Sequence, residues 1–179
     1  MTDKREEYVL RLSGIEVGNH KYSMICDKAF FELTGLNEIE EGTIQVRIET
    51  EKNAKMMSLQ FHFEGNVTVI CDRCLEFLTL PLDFNDFLVV NFVSHIDESF
   101  ENDDNIWQIH EKAHELDLSH FIYEAIELAL PTQLIHPNDE NGKPTCNPEM
   151  LNKLAELTPK NTTVIDPRWE TLKQLTIDN

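Results

Sequence analysis

No stretch of this chain approaches the roughly 20 consecutive apolar residues that a membrane-spanning helix requires. The opening MTDKREEYVL has neither the apolar core nor the small-residue cleavage site of an export signal. A cytoplasmic protein with no membrane partner is therefore expected, and the Asn-x-Thr sequences at Asn66 and Asn161 are not expected to carry glycans. Cysteine is scarce, four in 179 residues. Without an export signal those four are expected as thiols or metal ligands, not as a disulfide framework. Basic side chains are few, 15 against 33 acidic ones, and the formal charge of -18 repels phosphate backbones. That charge argues against DNA and against nonspecific nucleic-acid binding; it serves solubility and would attract a basic partner. There is no Gly-rich phosphate loop, no Gly-x-Ser-x-Gly elbow, no cluster of acidic residues at metal-loop spacing and no internal repeat.

What is present is mostly strand pattern. Tyr8, Leu10 and Leu12 alternate with polar residues, and a second strand is expected over residues 21–26. Residues 29–33 suit a short helix or a strand. After Gly42, Ile44, Val46 and Ile48 alternate, a polar turn follows at 51–55, and Met57, Leu59, Phe61 and Phe63 alternate again, which predicts a hairpin. A further strand covers 67–71. Another leaves through Leu78, Leu80, Leu82 and Phe84, with Pro81 marking a sheet edge, and 87–93 extends or follows it as a strand buried on both faces. DESFENDD at 97–104 is expected to be an exposed acidic loop.

Asp117 or Ser119 can cap a helix whose Phe121, Ile122, Ala125, Ile126 and Ala129 share one face, with Pro131 ending it. Residues 136–147 read as a long turn-rich loop, 150–157 as a short helix, and Asp166-Pro167 as the opening of a last one. The expectation is an α+β domain over 1–157, built on a mainly antiparallel, partly barrel-like sheet with one covering helix, then a tail at 158–179 with a short helix.

Three blocks carry a resemblance: VTVICDRCLEFLTLPLDF at 67–84, LDLSHFIYEAIELALP at 116–131 and DPRWETLKQL at 166–175. Their order and spacing resemble the YceD family of large ribosomal RNA subunit accumulation proteins, from the Gly42 hairpin to near the end of the chain. The resemblance implies a non-enzymatic ribosome-biogenesis factor that supports accumulation or processing of large-subunit ribosomal RNA. The implied partner is precursor RNA of that subunit or a basic large-subunit ribosomal protein, since bacterial members are often associated with a zinc-ribbon protein of that subunit. The family brings no assigned catalytic residues. This chain has only Cys146 where many members have a second cysteine pair.

Cys71 and Cys74 sit at the spacing that lets one tight turn present two thiolates to zinc, and His136 and Cys146 are candidates to complete a structural site. The plainer reading is a pair of buried thiols at a strand turn, with no cofactor. His110-Glu111-Lys112-Ala113-His114 matches H-E-x-x-H, with His120 where a third ligand would fall, and a zinc-dependent hydrolase is the alternative function. Asp117 stands where the extended pattern needs glycine, and a solvated helix is the expectation for that segment. Arg73, Arg168, Trp169 and Lys173 are the basic and aromatic residues within the resembling blocks, and are the candidates for RNA or partner contacts.

Overall fold

The computed structural model describes residues 7–96 and 105–158. Their elements run β1 (Val9–Arg11), β2 (Gly18–Cys26), α1 (Lys28–Thr34), β3 (Ile39–Lys52), β4 (Met56–Ile70), β5 (Phe77–Val93), β6 (Ile106–His110), β7 (Glu115–Asp117), α2 (Ser119–Ala129) and α3 (Pro148–Leu157). Five strands form one sheet in the order β2-β3-β4-β5-β6, antiparallel except for β6, which runs parallel to β5. β1 and β7 make a separate two-stranded ribbon. The acidic stretch 97–104 and the C-terminal block 166–175 lie outside the described residues.

Period-two alternation builds the sheet. Ile44, Val46 and Ile48 of β3, Met57, Leu59, Phe61, Phe63, Val67 and Val69 of β4, and Leu78, Leu82, Leu88 and Val90 of β5 all point to one buried face. The opposite face carries Arg47, Glu64 and Asp83 into water. The β3–β4 turn is closed by Asn53, whose Oδ1 accepts from the Lys55 and Met56 amides. Residues 57–63 and 67–71 do not form separate strands. Gly65 keeps the same parity as Phe63 and Val67, so β4 passes through it without a break in register. A Cβ at Gly65 would collide with the Thr43 carbonyl across the β3–β4 pair, because the two backbones approach closely there. Gly65→Ala is expected to cost about 1–3 kcal/mol, read as a fall in the midpoint of urea unfolding.

Three expectations are corrected. The sheet is open and not barrel-like: among the described residues, β2 and β6 are edges with one neighbour each. Helices occupy the face that a barrel would close over. Instead of one covering helix there are two, since α1 brings Phe30 and Phe31 and α2 brings Phe121, Ile122, Ala125 and Ile126 into the same core. Phe61 meets Phe121 at 4.7 Å between ring centroids and Trp107 meets it edge-on at 6.1 Å. Residues 87–93, moreover, are not buried on both faces, because Leu88 and Val90 are buried while Phe87 is 48 % exposed. β6 pairs with β5 only over 89–93 and lies at the sheet edge, so solvent reaches the outer side. Pro81 falls where β5 has no second neighbour, as its missing N–H requires.

Candidate metal centre

Two loops, one short and one long, come together at one end of the sheet. β4 ends at Ile70, and the chain turns through Cys71-Asp72-Arg73-Cys74 before β5 starts at Phe77. The turn is tied by the Leu75 amide to the Cys71 carbonyl (2.9 Å) and the Cys71 amide to the Glu76 carbonyl (2.9 Å). Leu75 adopts φ 62°, the left-handed region that a non-glycine residue seldom enters. Both sulfurs are thereby aimed inward, and Cys71 and Cys74 are buried.

The partner loop, 131–147, is organised by its own turn chemistry. The Asp139 carboxylate accepts from the Asn141 and Lys143 amides (2.9 and 2.8 Å), Gly142 takes φ 76°, and Asn138 bridges Pro144. This small doubled-back loop carries His136 on one arm and Cys146 just past the other. It is clamped to the first turn from both sides: the Asp72 amide donates to the Leu134 carbonyl (2.7 Å), the Leu134 amide donates to the Asp72 carboxylate (2.8 Å), and the Asn147 amide group donates to Glu76 (2.6 Å). Asn147 also caps α3 through the Glu149 amide.

The result is that Cys71, Cys74, His136 and Cys146 place their ligand atoms within 4.8 Å of one another. Cys71 Sγ lies 3.9 Å from Cys146 Sγ, and His136 Nδ1 lies 3.4 Å from Cys74 Sγ and 3.9 Å from Cys146 Sγ. Tetrahedral zinc with bonds of about 2.3 Å to sulfur and 2.0 Å to nitrogen spaces sulfurs about 3.8 Å apart and sulfur from nitrogen about 3.5 Å. The donor set therefore fits such an ion. His136 Nε2 is 3.2 Å from the Phe77 carbonyl, and a proton there leaves the Nδ1 lone pair facing the sulfurs.

Electrostatics agree with that use. Burial pushes the Cys71 thiol up, but the backbone N–H groups of Cys74, His136 and Arg73 and the His136 side chain outweigh it and bring the pKa down to about 6. Burial and the neighbouring Cys71 and Cys74 sulfurs raise Cys146. Cys26 is buried away from this group, and its thiol is pushed up by burial and by Asp27.

The H-E-x-x-H segment looks different. His110 ends β6, Glu111 and Lys112 form a turn and His114 precedes β7, so the helix expected there is absent and the one-turn spacing no longer presents two imidazoles to one point. A parallel edge strand holds residues 106–110, which sets the segment's conformation. His110 Nδ1 accepts from the Lys112 amide, His114 Nδ1 meets Ser13 Oγ, and His120 pairs with Glu124. Arg73 stands half-buried in the Cys71–Cys74 turn, while Arg168, Trp169 and Lys173 lie outside the described residues.

The family model for large ribosomal RNA subunit accumulation protein YceD matches residues 59–176, two thirds of the chain. The chain belongs to the YceD family. The match contains all three blocks on which the resemblance rested and all four clustered side chains, and it begins within β4. Among curated proteins and solved structures nothing matches. YceD membership implies a role in large ribosomal RNA subunit accumulation, and the family is a ribosome-biogenesis family, not a known enzyme family. Among the described residues no helix is long and apolar enough to cross a membrane. Spacing alone missed the residues that assemble the YceD cluster here, Asp72, Glu76, Asp139 and Asn147. The one available signal was the Asn138-Asp139-x-Asn141-Gly142 turn sequence, which forms the doubled-back loop.

Proposed function

We propose that this chain is a non-enzymatic ribosome-biogenesis factor that sustains large-subunit ribosomal RNA by holding a basic ribosomal protein of that subunit, on a scaffold in which Cys71, Cys74, His136 and Cys146 bind one structural zinc. Family membership over 59–176 is the observation that carries the ribosomal role. The charge of -18 favours a basic protein over bare RNA as the direct partner. Four protein donors fill a tetrahedral shell and leave no position for water, which is the arrangement of a structural site and not a catalytic one.

The ribosomal role is tested by the ratio of large- to small-subunit ribosomal RNA in cells from which the protein is removed. The ratio is expected to fall and to recover with the wild-type chain; an unchanged ratio would sink the proposal.

The metal role has a pH signature. Cys71, with its pKa brought down to about 6, is a thiolate at neutral pH. As pH falls through that value protons compete for the sulfur, and the stabilisation that depends on the ionised form is lost. Zinc is expected to stay bound at neutral pH and to pass to a chromophoric chelator in acid, at a pH below the value of the metal-free thiol because the bound ion itself disfavours the proton. Equal release at neutral and acid pH would show that these thiolates do not hold it.

A further inference from the structure

Beside the clustered cysteines, a cleft of about 580 Å³ opens between the Cys71–Cys74 turn, the end of α2 and the segment joining α1 to β3. Its apolar lining is exposed to an unusual degree: Leu128 is 85 % exposed, Leu75 68 % and Ile70 41 %. Leu75 projects into solvent from the left-handed position at φ 62°, where glycine would sit without strain. Exposed apolar side chains grouped beside one cleft offer a partner apolar area to cover.

Charge around the cleft has one sign. Glu38, Glu40 and Glu127 line it, and among the described residues no lysine, arginine or histidine does. Asp72 lines it too, with its carboxylate already engaged by the Leu134 amide. α2 ends here with no basic residue in its last turn, so its carbonyl end adds further negative potential. The Tyr123 phenol one turn earlier is held above its usual value by its hydrogen bond to Glu127, by burial, and to a smaller extent by the charges of Glu127, Glu124 and Glu38. Protruding apolar side chains set among carboxylates are complementary to a chain segment that carries both a large apolar side chain and basic groups. A single-stranded RNA would set its phosphates against those carboxylates.

We propose that this cleft docks a basic protein segment that presents one large apolar side chain between lysines or arginines. The inference rests on the reading of the chain as a carrier of a basic ribosomal protein, and it places the contact on Leu75, Leu128 and the three glutamates. The cysteine cluster then has a second consequence, because it sets the position of the turn that carries Leu75.

The test uses the full chain loaded with zinc and three synthetic peptides: a lysine-rich one with a single central phenylalanine, the same peptide with serine in its place, and a glutamate counterpart. Fluorescence anisotropy is expected to show the phenylalanine peptide binding about tenfold more tightly than the serine one, with the glutamate peptide not binding. Leu75→Gly, which suits the backbone at that position, and Leu128→Ser are each expected to erase that difference. Glu38→Gln with Glu127→Gln should weaken both basic peptides and flatten their salt dependence. Equal affinities for the two basic peptides, or indifference to Leu75→Gly and Leu128→Ser, would overturn the proposal in favour of attraction by bulk charge.

In cells, a photocrosslinking phenylalanine at position 128 should join to lysine- or arginine-rich segments of ribosomal proteins. Crosslinks to RNA, to a second copy, or to residues 159–179 of the same chain would assign the cleft to that occupant and overturn it as well. The two readings fail separately. Peptide discrimination with an unchanged ribosomal RNA ratio on removal of the protein defeats the ribosomal role alone, and a falling ratio without discrimination defeats the cleft alone.

Discussion

Cys71→Ser with Cys74→Ser is expected to abolish zinc binding outright, so that elemental analysis finds about one zinc per wild-type chain and none in the double variant. The reason is geometric: two of four donors vanish, and serine hydroxyls do not replace thiolates at zinc. The structural effect should be large but confined. Structural zinc contributes apparent binding free energies of about 10–16 kcal/mol in small zinc-finger peptides, where no other core exists. Here the sheet and its two covering helices bury a much larger set, Phe61, Phe63, Leu59 and Ile122 among them, and Cys71, Cys74 and Cys146 are three members of that one core. What depends on the cluster is loop 131–147, which owes its attachment to Asp72, to the Asn147–Glu76 contact and to the four donors. The double variant should therefore keep its strand signal in circular dichroism while limited proteolysis opens the loop around residues 138–144. His110→Ala with His114→Ala should leave zinc unchanged, and zinc lost only with those histidines would revive a hydrolase. Zinc in neither wild type nor variants would reduce the cluster to buried thiols.

The sequence made the sheet legible where a strand had one wet face. β3, β4 and β5 each alternate, and that alternation places Ile44, Phe61 and Leu82 on the core side. The same pattern could not show closure, because alternation says which face is buried and not what covers it. Two helices cover it, and one of them, α1, is only seven residues long, too short for a helical period to stand out from a strand. β6 escaped for a related reason: an edge strand pairing over five residues leaves Ile106, Trp107, Gln108 and Ile109 all half-buried, with no alternation to read.

The cluster was legible in its four members and not in what assembles them. Cys71 and Cys74 announce themselves through two-residue spacing, but His136 and Cys146 are ten residues apart, a separation that no single tight turn explains. The bridged loop pinned by Asp139 closes that gap, and such a loop is a tertiary fact carried by side chains that read as ordinary surface polars. The false H-E-x-x-H signal is the mirror case. Its spacing has meaning only on a helix, and here the parallel edge strand claims His110 first.

Phe61→Ala is expected to be among the most damaging single substitutions in the core, costing about 3–5 kcal/mol. The side chain is 1 % exposed and faces Phe121 of α2 at 4.7 Å and Phe63 at 6.0 Å, so truncation opens a cavity at the seam between sheet and helix. Against a total stability of about 5–15 kcal/mol for a domain of this kind, the variant should stay folded at room temperature only with a markedly lower denaturation midpoint. Phe61 lies ten residues along β4 from Cys71, about 33 Å at the strand rise of 3.3 Å per residue. Sites that far apart with no shared partner add to within about 0.5 kcal/mol. Removing zinc from wild type and from Phe61→Ala should therefore lower both urea midpoints by equivalent free energies. Additivity would mean that the metal end can be loosened or rebuilt for partner binding without touching the sheet. A coupling well above that bound would instead mean that β4 transmits strain between the core and the cysteine turn, and that the cluster helps to hold the whole fold and not the loop alone.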